Sequence, residues 1–276
     1  MKIRGTYLIF SLLLSLDCHA ADICGKKAQG EIMQGHAPGY REVIFKNKTH
    51  KISPDGRFII AFERDNAGRE PLTLVDKDGK KITYKFKVDK TQWDIQNLKG
   101  VQPRKVSPSP EDNAAIEKER KLIRTALAED KANLFWQKSF ISPVEGRISG
   151  NFGGQRIMNG KKMNPHAGMD IAAPEGTPIK AAADGIITLT APELFYSGNV
   201  VVIDHGYGLQ TIYAHLSRID VKKGDKVKQG DIIGKVGRTG RVTGPHLHWG
   251  ASLRGTKFNP QSLLNMPKTD NFCFNL

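Results

Sequence analysis

"GNVVVIDHGYGLQTIYAH", residues 198–215, consists of two Val/Ile-rich runs on either side of a glycine turn, and its reading decides the fold. Runs this short, rich in β-branched residues and punctuated by glycine, are strands joined by tight turns. The same grammar extends outward in both directions. "GTPIKAAADGIITLT" (176–190) precedes it, and "DKVKQGDIIGKVG" (225–237) follows. No helical period alternates with these strands, which argues against a parallel sheet. Residues 140–267 therefore read as one all-β domain.

A second β region comes before it, over residues 21–100. "ITYKFKV" sets Ile82, Tyr84, Phe86 and Val88 on one face, and Lys81, Thr83, Lys85 and Lys87 on the other. "SPDG" (53–56) and "KDGK" (77–80) mark turns between this strand, "RFIIAF" and "LTLV". A small antiparallel sandwich or barrel is expected. Residues 101–139 then form a Pro-rich linker and a helix. "VQPRKVSPSPEDN" (101–113) carries three prolines, with Ser109 as N-cap and Pro110 in the first turn. Ile116, Ile123, Leu127 and Leu134 make a narrow apolar stripe for packing on one of the β regions. The fold class is thus mainly β, with a connecting α-helix and a short tail over 268–276.

The N-terminus, "MKIRGTYLIFSLLLSLDCHA", has a basic start, an apolar stretch and Ala20 at a cleavage point, which is the pattern of a secretory signal peptide over residues 1–20. Its apolar stretch of about 10 residues is too short to span a bilayer. Leu16 and Asp17 stand where a lipid-anchor motif at Cys18 needs small residues. No integral membrane segment is expected after cleavage. Export, to the periplasm or else to the medium or cell wall, makes a disulfide between Cys24 and Cys273 the expected state of the two remaining cysteines. The precursor carries a net charge of +14, and loss of Lys2, Arg4 and Asp17 leaves +13. Such a protein is drawn to anionic polymers, cell-wall glycans among them. The charge names no reaction, and no nucleic-acid function is read from it.

Five of the eight histidines fall in the C-terminal domain. In "GPHLHWG" (244–250), His246 and His248 are two apart on a strand and share a face. "HAGMD" adds His166 and Asp170, which share a side in extended chain because four is twice two. "YAHLS" adds His215 at the end of another strand. Two His and one Asp are a familiar ligand count for catalytic zinc. Five candidates for three places leave two histidines for proton handling. His205, His36 and His50 have no partner at a telling spacing and read as structural.

These motifs, "HAGMDIAAPEGTPIKAAADG", "YAHLS" and "KGDKVKQGDIIGKVGRTGRVTGPHLHWG", resemble the signature of lysostaphin/LytM-type zinc endopeptidases, which cleave peptidoglycan cross-bridges. The resemblance covers about residues 140–265 and implies a compact, barrel-like antiparallel β-sheet whose groove holds the metal. It implies one zinc ion per chain, bound by His166, Asp170 and His248. It also implies His246 as general base, and His215 as a residue that orients water or stabilises the oxyanion. "GASLRG" after the HxH is less typical of the family. Similar exported enzymes carry a β domain that sometimes shields the groove. Two other readings compete: a non-catalytic activator of another wall hydrolase, and a biotinyl- or lipoyl-type carrier suggested by the hairpin at 223–237. The carrier reading leaves the histidines unexplained. With an exported, peptidoglycan-directed protein, the D-Ala–meso-diaminopimelate bond is the expected target.

Overall fold

The structure, a computed structural model, describes residues 21–130, 139–266 and 274–275. The signal-peptide reading, Leu134 and Cys273 lie outside the described residues. Among the described residues no helix is long and apolar enough to cross a membrane.

The N-terminal region holds two four-stranded sheets. One runs in the order Phe274–Asn275, Asp22–Gly25, Ile32–His36, Arg57–Ala61; the other in the order Lys48–Lys51, Tyr40–Phe45, Gly68–Asp76, Lys81–Val88. Both sheets send side chains into one buried cluster that includes Ile23, Met33, Phe45, Phe58, Ile60, Leu72 and Val88. Phe62 packs edge-on against Phe45 and Phe86, which stack on each other. The alternation in Lys81–Val88 is seen as expected: the lysines are exposed, and Ile82, Tyr84 and Phe86 are partly covered.

The C-terminal region is a ten-stranded sheet whose main path runs Lys226–Val227, Gly185–Leu194, Gly198–Asp204, Leu209–Ile219, His246–Leu253, Met169–Ala172, Arg147–Gly150. Its pairings are antiparallel, as the sequence implied. The sheet is branched, because Ile232–Val236 pairs with both Pro178–Lys180 and Leu209–Ile219. Its core includes the fully buried Trp249, Tyr213, Phe258 and Leu247. Burying each such large apolar side chain contributes about 1.5–3 kcal/mol.

The helix Pro110–Ala128 starts where the sequence placed it, with Ser109 and Asp112 in a reciprocal capping box. Ile123, Ala126 and Leu127 pack on Leu189, Leu194, Val200 and Val202, so its stripe is spent on the C-terminal sheet. Two features were not expected. A four-residue helix, Pro103–Val106, interrupts the linker, with Pro103 at a position where a missing N–H costs nothing. The strand Ile95–Leu98 leaves the N-terminal sheets and pairs in parallel with Gln155–Met158. Register with a distant strand leaves no trace in local periodicity. Ile32, Ile59 and Ala61 of the N-terminal region also belong to the C-terminal core cluster, so the two regions are packed together.

Candidate metal centre

The strand His246–Leu253 is the spine of the site. Leu247 and Trp249 are buried in the core, while His246 and His248 face the opposite side together. Its neighbour Met169–Ala172 is in register so that Asp170 lies directly across from His248. Directly opposed residues of an antiparallel pair project to the same face. His166 precedes that strand in irregular chain. It is tied to a glycine loop by His166 N–H donating to Gly154 O and Gly153 N–H donating to His166 O, both 2.9 Å.

Three ligand atoms converge. His166 Nε2 is 3.0 Å from Asp170 Oδ1 and 3.0 Å from His248 Nδ1, and His248 Nδ1 is 2.9 Å from Asp170 Oδ1. These residues could hold a metal ion. The donor chemistry fits one. His166 Nδ1 lies 2.9 Å from the carbonyl of Asn151, which can only accept, so Nδ1 carries the proton. The neutral ring then turns a lone pair on Nε2 toward the lone pairs of the carboxylate, a convergence that a cation satisfies. Both His166 and Asp170 are buried. Burial raises the Asp170 carboxyl, but the close contacts with His166 and His248 outweigh that and hold it well below the usual carboxylate range. Burial pushes His248 down to about 4. The second oxygen of Asp170 is held by the Arg156 guanidinium, whose Nε also lies 3.4 Å from Gln96 Oε1.

The other two histidines stand beside the trio without joining it. His246 Nε2 is 3.7 Å from Asp170 Oδ1, and its Nδ1 donates to Gly244 O at 2.9 Å. The His215 ring centroid is 4.9 Å from that of His246 and 5.9 Å from that of His248. His215 Nδ1 donates to Thr239 O at 2.8 Å. Burial pushes its imidazole well below the usual histidine range, and the His246 and His248 charges add to this. Ala214, not His215, is the residue across from His248. Plain alternation would therefore point His215 away from the site. The backbone reverses this with φ of 66° at His215, beside register shifts in the pairing of its strand. A left-handed conformation at a non-glycine residue costs roughly 1–3 kcal/mol and is typical of functional sites.

All five residues singled out in the sequence are thus brought together. His205 is not among them. It is fully buried between Asp184 O and Thr211 Oγ1, at 2.7 Å from each, as a structural residue should be. Sequence reasoning missed Arg156, Asn151, Thr239 and Gly168. A Cβ on Gly168 would lie 2.8 Å from His248 Nε2, so the glycine of "HAGMD" makes room for the histidine ring. The motif spacing could have flagged Gly168; nothing local could have flagged Arg156.

Comparison with known proteins agrees with this geometry. Residues 164–260 match Peptidase family M23. The peptidoglycan DD-endopeptidase ShyA of Vibrio cholerae is 49% identical over 120 residues, which are 42% of this chain and 28% of that protein. The DD-carboxypeptidase/endopeptidase Mpg of Neisseria meningitidis serogroup B is 46% identical over 120 residues, 44% of this chain and 27% of that protein. This chain thus spans less than a third of the length of these curated relatives. A crystal structure of a Pseudomonas aeruginosa protein assigned to peptidase M23 superposes with a TM-score of 0.69 at 29% identity, covering 87% of this chain and 96% of that one. The chain therefore carries a Peptidase family M23 domain, one that fits the LytM type.

Proposed function

We propose that this protein is a zinc-dependent endopeptidase that hydrolyses peptide cross-links of bacterial peptidoglycan, at the D-Ala–meso-diaminopimelate bond. The observation that carries the reading is the convergence of His166, Asp170 and His248 beside two further histidines in an M23 domain. The names of the relatives, DD-endopeptidase among them, support the substrate class.

When bound, zinc supplies Lewis acidity that polarises the scissile carbonyl and acidifies water. His166, Asp170 and His248 are the residues that hold it. His246, with Nδ1 fixed on Gly244 O, turns its Nε2 lone pair toward the ligand set, where it takes the proton of the attacking water and returns it to the leaving amine. His215 has its proton on Nδ1, so Nε2 of the neutral ring can only accept. That favours orienting the water over donating to the oxyanion, which would need a proton on Nε2. Arg156 fixes the second oxygen of Asp170 and leaves the first for the metal.

The reading includes export, with residues 1–20 removed as a signal peptide and the mature chain working in the periplasm or, failing that, at the cell wall or outside the cell. It also includes a disulfide between Cys24 and Cys273. The test of function is mass spectrometry of murein sacculi digested with the mature chain, residues 21–276. Muropeptides opened at the D-Ala–meso-diaminopimelate bond are the expected products. Sacculi left intact by zinc-loaded protein would overturn catalysis in favour of the activator reading.

A further inference from the structure

One flank of the site is built from basic and aromatic side chains. The Lys105 ammonium lies 3.8 Å from the Phe195 ring centroid, and the Arg241 guanidinium lies 4.3 Å from that of Tyr196. The Phe195 and Tyr196 rings meet edge to face at 4.9 Å. This flank is fastened to the histidines. Arg241 N–H donates to Tyr196 O, and His215 N–H donates to Ser197 O, each at 2.9 Å, while Thr239 O receives His215 Nδ1. Segments 196–197 and 239–241 therefore grip His215 from two sides, and the loop that starts at Arg241 runs straight into His246.

Most of the cations here are already committed. Arg104 makes a forked pair with Asp112, Lys105 Nζ donates to Phe195 O at 2.5 Å, Arg120 pairs with Glu117, and Arg156 holds Asp170. Arg241 differs. Among the described residues, the one hydrogen-bond contact of its guanidinium is a long one, 3.5 Å to Lys105 O, and no carboxylate lies within ion-pair distance. It is half-buried, and burial and the Arg156 and Arg120 charges disfavour its protonated form, although an arginine stays charged in proteins. The stack on Tyr196 fixes the plane of the fork, the geometry that recognises a carboxylate by two parallel hydrogen bonds.

We propose that Arg241 is the carboxylate subsite of the cleft and binds the carboxylate on the amine side of the scissile amide. This rests on the peptidase reading above. In a D-Ala–meso-diaminopimelate cross-link, the carbon that bears the released nitrogen also carries a free carboxylate. An internal bond of a glycine bridge has none. The subsite thus selects for cross-links made through a carboxylate-bearing amine, and Tyr196 keeps the guanidinium aimed.

The test uses the zinc-loaded mature chain and two cross-linked murein peptides that differ only in this carboxylate, free in one and amidated in the other. The wild type is expected to favour the free acid by about 10–100-fold in kcat/KM, the range of a charge-assisted bidentate contact. Arg241→Gln should cut both peptides at one low rate, and Arg241→Lys should recover part of the preference. Zinc content and melting temperature monitor the fold. A purely structural role for Arg241 would lower both rates and keep their ratio, which overturns the proposal, as does a wild type without preference. If neither peptide is cut, the peptidase reading fails by itself. Calorimetric binding of the two peptides then still decides the subsite, since equal affinities overturn it.

Discussion

Two histidines two residues apart meet the same carboxylate differently, and the difference lies in which nitrogen faces it. His248 offers Nδ1 at 2.9 Å from Asp170 Oδ1, while His246 stands off at 3.7 Å with its own Nδ1 engaged by Gly244 O. His248→Ala removes one of three ligands and should cost both zinc and hydrolysis, because two ligands hold the ion poorly. His246→Ala removes only the proton acceptor. Zinc should stay near one per chain while murein digestion falls about 10²–10⁴-fold. Metal analysis of both purified variants, with melting curves as a control for folding, checks this. Zinc lost from the first variant and kept in the second is the expected pattern; the reverse would exchange the two roles.

At the scale of elements, the site depends on pieces that lie outside the M23 match. Trp93, just ahead of the strand Ile95–Leu98, packs edge-on against Phe152 and sits under the Arg64 guanidinium. Gly153 has φ of 80°, and a Cβ there would come within 2.3 Å of the Trp93 ring, so the loop can close on the indole only with glycine at that position. Arg64 Nε donates to Gly153 O at 2.6 Å, and Asp94 O receives Gln155 N–H at 2.8 Å. The same loop holds His166 through Gly153, Gly154 and Asn151. The sequence led one to expect the N-terminal region as a shield over the groove. These contacts give it a supporting part. Trp93→Ala in the full chain should loosen the loop and weaken zinc binding by roughly 10-fold or more, as outer supports of metal ligands commonly do. Competition with a chelator measures it, and an unchanged zinc affinity would remove Trp93 from the account.

Over the whole molecule, the segments Asp22–Gly25 and Phe274–Asn275 meet in one sheet. Asp22 pairs with Asn275 and Ile23 with Phe274 in antiparallel register. A disulfide between Cys24 and Cys273 would close a very long loop, and loops of such length are worth about 4–5 kcal/mol in the chain-entropy account. Intact-mass analysis after alkylation without reductant should show neither Cys24 nor Cys273 modified. Reduction should then lower the melting temperature. Two alkylated thiols in the unreduced protein would end the disulfide reading.

The sequence by itself determined the β class and the helix start at Ser109, and it named the five residues that gather at the candidate metal centre. Each is written in local chemistry: period-two alternation, a capping box, and histidines whose spacing suits a strand. Even so, the shared face of His246 and His248 followed from alternation alone, whereas that of His215 did not. Its entry to the site depends on a left-handed backbone residue and a shift of register that no spacing encodes. Arg156, Trp93 and Arg241 were equally silent, because their roles arise from partners 14, 60 and 45 positions away in the chain. Ligand identity is a matter of residue type and short spacing. The orientation of those ligands is a matter of long-range packing, and only the tertiary structure decided it.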